Sequence, residues 1–216
     1  GKYIGTGGGD ADHDSASDCI TCLPGSYATY VANKDRSNRL QYYAGTTSTY
    51  IPASSCKKCP GGKWQSSEQS GSCTSCVAGR YLPNGYSLSD HINISQCLPC
   101  AVGQFQNSVA STGCKDCSKG IYQNEIAMNV CKGCNLGLYN DQLQQSSCKH
   151  CPTGWHNNKK DNNVCYLCEK GKFNDQTTQA TCTKQCPPGR YGDAFGLNNY
   201  TLCKFCAPGK YSPAKG

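Results

Sequence analysis

"CPGGKWQSSEQSGSCTSC", Cys59–Cys76, decides how the rest of the chain is read. It opens on a cysteine, places Gly62 three residues on and Trp64 two residues later, runs through polar residues, and closes on a C-x2-C pair. The same order recurs along all 216 residues. Cysteines fall in ten pairs: 19/22, 56/59, 73/76, 97/100, 114/117, 131/134, 148/151, 165/168, 182/186 and 203/206. From Cys97 to Cys182 the first members step by 17 residues five times running. A fixed short period of this kind defines a tandem array and outranks any local motif.

The tile is more than its cysteines. A glycine follows each pair by three residues, as at Gly25, Gly103, Gly120 and Gly209. Two residues beyond it stands an aromatic: Tyr27, Trp64, Tyr81, Phe105, Tyr122, Tyr139, Phe173, Tyr191 or Tyr211, with His156 the one departure. The glycine predicts a turn at positive φ or a close backbone approach. The aromatic is the largest apolar group of its tile and is expected to lie on a neighbouring crosslink or aromatic. The following residues are mostly Ser, Thr, Gln, Asn and Lys and are expected to form an exposed loop.

Composition agrees with a crosslinked rather than a core-built chain. Leu, Ile, Val and Phe total only 28 residues, a level at which a chain without crosslinks stays disordered. Twenty cysteines supply the alternative. The expected fold is small and disulfide-rich: tandem tiles of ~17 residues forming an elongated rod, with short β-pairs and almost no helix. Residues 1–18 are expected to hold a truncated tile and a Gly/Asp-rich linker. The array spans 19–206, with enlarged loops at 23–55, 77–96 and 187–202. A further truncated tile begins at 207–216. Both ends therefore resemble tiles cut in the middle, with Cys19 and Cys206 awaiting partners from another segment.

Two thiol chemistries compete with disulfides. C-x2-C, thirteen residues, C-x2-C is legitimate zinc-ribbon spacing, and an intracellular zinc array binding nucleic acid would use it. Against it stand the unbroken rhythm and two N-glycosylation sequons, Asn93-Ile94-Ser95 and Asn199-Tyr200-Thr201, both inside enlarged loops. Cys148-Lys149-His150-Cys151 resembles a redox dithiol, but every tile carries such a pair and no βαβ pattern surrounds this one. The net charge of +7 is spread along the chain, which argues for a solvated surface rather than a nucleic-acid stripe. No run is long and apolar enough to span a membrane. Asp10, Asp12 and Asp14 alternate as at the start of a calcium loop, but Ser15 and Thr21 stand where such a loop needs Gly and Glu. Tyr27, Tyr30, Tyr42, Tyr43 and Tyr50 with Arg36 and Arg39 make the first enlarged loop a candidate interface. No catalytic, metal or cofactor site is expected.

The spacing C-x2-G-x-aromatic-x8-C, as from Cys59 to Cys73 and from Cys100 to Cys114, resembles the first loop of tumour necrosis factor receptor cysteine-rich domains. It resembles still more closely the ephrin-receptor-like cysteine-rich repeats of eukaryotic extracellular proteins. The resemblance implies that the cysteine before each glycine bonds to the one closing the stretch. The pairs would be Cys22–Cys56, Cys59–Cys73, Cys76–Cys97, Cys100–Cys114, Cys117–Cys131, Cys134–Cys148, Cys151–Cys165, Cys168–Cys182 and Cys186–Cys203. Spacing alone also allows first-to-first and second-to-second pairings between adjacent tiles. The expected function is that of a secreted, glycosylated structural subunit of a filament, sheath or surface coat, self-associating head to tail, with N-linked glycans at Asn93 and Asn199. The alternative is the ligand-binding ectodomain of a cysteine-rich receptor.

Overall fold

A computed structural model describes residues 2–4, 19–28, 56–85 and 87–212, with side chains from Thr21 onward. Asp10, Asp12, Asp14, the Tyr/Arg stretch beyond residue 28 and the tail at 213–216 lie outside the described residues.

Within them the regular structure is ten two-stranded antiparallel pairs and three 3-10 turns. Each pair has one design. The Gly-x-aromatic residues form one strand and the two residues inside the next C-x2-C form the other, as in Leu138–Tyr139 against Lys149–His150. The aromatic faces the residue after the closing cysteine: Trp64 opposite Thr74, Tyr122 opposite Lys132, Tyr191 opposite Lys204. Lys2–Ile4 pairs with Cys19–Thr21 in that same register, Tyr3 opposite Ile20, so Cys19 takes the place of a closing cysteine. One pair differs. Phe173 faces Lys184, because the extra residue between Cys182 and Cys186 places Thr183 ahead of the strand Lys184–Gln185.

Among the described residues nine disulfides join the cysteine before the glycine to the one that closes the tile, in the order Cys22–Cys56, Cys59–Cys73, Cys76–Cys97, Cys100–Cys114, Cys117–Cys131, Cys134–Cys148, Cys151–Cys165, Cys168–Cys182 and Cys186–Cys203. Cys206 carries a free thiol. The first cysteine of every bridge is buried, and the bridges make up most of a narrow core. Aromatics cover it. Trp64 packs on Leu82 and the Cys76–Cys97 bridge of the next tile, and Phe173 on the Cys186–Cys203 bridge with Leu197. Replacing Cys134 and Cys148 together by Ser should cost about 3 kcal/mol, the loop-closure entropy of a ring this size. Denaturant unfolding of that variant with the other bridges intact checks the figure.

Backbone contacts divide the chain into two compact units, Gly1–Pro99 with Ser108–Gly113, and Cys100–Asn107 with Cys114–Gly216. Each repeats the same joints between tiles.

Candidate functional site

The joint between tiles is where this chain concentrates its chemistry. The glycine N–H of one tile donates to the residue after the aromatic in the next tile, and that residue's N–H donates to the tile after. In the first unit the chain runs Gly62 to Leu82 at 2.7 Å, then Leu82 to Ser111 at 3.0 Å. In the second it runs Gly103 to Gln123 to Gln145, Gly120 to Asn140 to Asn162, and Gly137 to Asn157 to Gln179, all at 2.7–3.1 Å. Three tiles thus share each ladder.

The residue after the aromatic is the surprise. Gln106, Gln123, Asn140, Asn157 and Asn174 are buried, although they open a stretch expected to be exposed. The three asparagine side chains reach back across the joint. Asn140 Nδ2 donates to the Ile121 carbonyl of the preceding tile at 2.8 Å, Asn157 to Leu138 at 2.6 Å, and Asn174 to Trp155 at 3.0 Å. Asn157 Oδ1 also accepts from the Lys159 N–H and from Asn162 Nδ2, both at 3.0 Å. Burial of an amide is tolerable when its donors and acceptors are met in this way. Where the position is apolar, at Leu82, a substitute arrives from the enlarged loop: fully buried His91 donates Nδ1–H to the Lys63 carbonyl at 2.7 Å.

Loops close the joint from the other side. Gln144, Asp161 and Thr178, each four residues before a closing cysteine, adopt φ near 60°. Their N–H groups donate to the carbonyls of Cys117, Cys134 and Cys151 one tile back, each at 2.9 Å. Their carbonyls press on the glycine two tiles back. A Cβ on Gly120 would fall well inside 3.0 Å of the Asp161 carbonyl, and φ there is +87°.

On the surface several tiles add an exposed ion pair. Lys149 meets Asp141 at 2.7 Å and Lys204 meets Asp193 at 2.7 Å; Lys132 meets Glu125. The Lys149 bond holds the Asp141 carboxyl below its ordinary value, and Asp141 in turn raises Lys149. A lowered carboxylate contributes above its unfolded pKa and loses that contribution as pH falls through its folded value. These pairs are solvent-exposed and of the kind that contributes little.

Asn93 and Asn199 are exposed. Each caps a 3-10 turn, its Oδ1 accepting from Ser95 N–H at 3.0 Å and Thr201 N–H at 3.1 Å. This leaves Nδ2 of each amide outside those bonds. Both stand four residues before a closing cysteine, Cys97 and Cys203. Cys148 and Cys151 are not joined to each other but to Cys134 and Cys165, and His150 Nδ1 lies 2.7 Å from Thr178 Oγ1. The dithiol resemblance of this pair is therefore coincidental. A ring nitrogen of His156, Cys168 Sγ and Cys182 Sγ lie within 4.8 Å of one another, but the two sulfurs are bonded and offer no thiolate to a metal.

Tandem tiles closed by one disulfide each, with short antiparallel pairs, define a cysteine-rich repeat protein of the extracellular kind. Residues 120–161 match the family model described as tyrosine-protein kinase ephrin type A/B receptor-like, and the tandem disulfide-bonded tiles fit a cysteine-rich ephrin-receptor-like repeat. The matched stretch starts at Gly120 and ends at Asp161, the two residues that meet across three tiles. No curated protein matches the chain by sequence. Among the described residues no helix is long and apolar enough to cross a membrane.

Proposed function

We propose that this chain is a secreted, non-enzymatic structural subunit whose tiles extend a filament, sheath or surface coat. The observation that supports it is the three-tile ladder. The backbone ladder recurs from joint to joint, so each added tile finds its docking surface already formed by the two before it. Phe205 and Tyr211 are 71% and 83% exposed, and we read them as a seat for a tile of a neighbouring copy. Crosslinking mass spectrometry on native material should then find residues 203–216 joined to residues 1–22 of another segment. A monodisperse monomer without such links would remove the filament reading.

A second reading, a ligand-binding receptor ectodomain, is favoured by the enlarged loops. Leu88, Ile92 and Ile94 in one, and Phe195, Tyr200 and Leu202 in the other, are exposed apolar side chains. A soluble partner captured by the monomer, and lost when Phe195 and Tyr200 are replaced by Ser, would establish it instead.

In either case we expect N-linked sugar at Asn93 and Asn199, whose exposed amides can carry a bulky glycan without burying it. Peptide mapping of native material should show it. Two bare asparagines would withdraw this support for secretion.

A further inference from the structure

We propose that Cys168–Cys182 is the most readily reduced of the nine bridges, and that His156 makes it so. His156 stands where the other tiles carry Phe, Tyr or Trp. At that place Trp64 and Phe173 lie against the next bridge as apolar surfaces. His156 instead brings Nδ1 to 3.3 Å from Cys182 Sγ, and Asn174 Nδ2 approaches the same sulfur at 3.3 Å. A bridge sulfur is a weak acceptor, so these contacts add little to the oxidised state. A thiolate is a full charge, and the same two groups hold it by charge-assisted hydrogen bonds. The difference favours the reduced state.

Access fits this chemistry. Cys168 is buried and Cys182 is half-exposed between exposed Thr181 and Thr183. A dithiol reductant attacks Cys182 Sγ with one thiolate. The bond to Cys168 breaks, and the Cys168 sulfur takes the electron pair and a proton. The second thiolate then attacks the reductant's own sulfur in the mixed disulfide. Cys182 leaves as a thiolate facing His156 and Asn174, and the remaining proton goes to solvent. The reductant departs as its cyclic disulfide, two electrons having moved to the protein. The leaving sulfur in the second step is the one that His156 and Asn174 face.

The test uses the whole chain with its bridges formed. It is held in graded dithiothreitol under native conditions, quenched with an alkylating agent and mapped by mass spectrometry. Cys168 and Cys182 should become labelled together at about tenfold less reductant than the other eight bridges, the factor expected of one charge-assisted bond. In His156→Phe, the residue type already present as Phe105 and Phe173, the bridge should fall back among the others while their order stays unchanged. His156→Leu, which cannot hydrogen-bond, should behave like the Phe variant and serves if that variant does not fold. Labelling of Cys168 and Cys182 with or after the other bridges in the native chain would overturn the proposal. So would unchanged labelling in both variants.

Discussion

Gly120→Ala should disrupt the joint across three tiles, while Gly209→Ala should cost only the strain of its left-handed backbone, about 1–2 kcal/mol. The two glycines have similar backbone, φ +87° and +78°. The left-handed conformation alone costs a residue with a Cβ about 1–2 kcal/mol, and both variants incur it. Among the described residues only Gly120 of the two has a neighbour: its Cβ would be driven into the Asp161 carbonyl, which is backbone and cannot swing aside. That carbonyl belongs to a residue whose N–H is bonded to Cys134 at 2.9 Å, so moving it breaks a second bond. The expected loss at Gly120 is more than about 4 kcal/mol, in the range reserved for overpacking and lost buried hydrogen bonds. Because stability in tandem arrays is set by nearest neighbours, the loss should be local. Hydrogen exchange should accelerate at the amides of Gly120, Asn140 and Asp161 and remain slow at Gly62 and Leu82 in the other unit. Equal exchange in Gly120→Ala and the native chain would show that the close approach does not hold the joint.

How much of this could be read in advance follows from what each residue type advertises. Cysteine and glycine are rare enough to keep their spacing visible, so the tile, its β-pair and its turn were legible, as was the place of the aromatic. The joint was not. Asn140 and Asn157 are followed by Asp141, Gln142, Asn158 and Lys159, and nothing in their chemistry separates the buried amide from its solvated neighbours. The available signal was positional: Asn or Gln directly follows the aromatic in six tiles, at 65, 106, 123, 140, 157 and 174. The loop corner was hidden for a different reason. Gln144, Asp161 and Thr178 are residues that seldom take positive φ, and they do so here because the N–H bond to a cysteine carbonyl one tile back offsets the strain. His91 illustrates a third limit. Its role is to stand in for an amide missing at Leu82, and only the fold reveals that the enlarged loop returns it to the Lys63 carbonyl.

Asn157→Leu should then cost about 3–5 kcal/mol, even though Leu sits at the same place in the tile containing Leu82. Leu82 is tolerated because His91 satisfies the Lys63 carbonyl; residues 151–165 form a standard tile with no enlarged loop to send a substitute. Removing the Asn157 amide leaves the Leu138 carbonyl without its 2.6 Å donor, and the Lys159 N–H and Asn162 Nδ2 without their acceptor. The Lys159 N–H can turn to water, since Lys159 is exposed. The Leu138 carbonyl, half-buried in the joint, carries most of the penalty, because an unmet buried acceptor costs more than a met one contributes. The added apolar surface does not compensate, since Asn157 is already fully buried and its site is shaped for an amide. The matching gain-of-partner experiment separates the two explanations. Leu82→Asn combined with His91→Ala should restore a donor to the Lys63 carbonyl and recover most of what His91→Ala alone loses. Denaturant unfolding with bridges intact, with exchange at Asn157 and Gly137, provides the measurement. An Asn157→Leu variant as stable as the native chain, or no recovery in the double variant, would mean that the buried amides fill space rather than hold the tiles together.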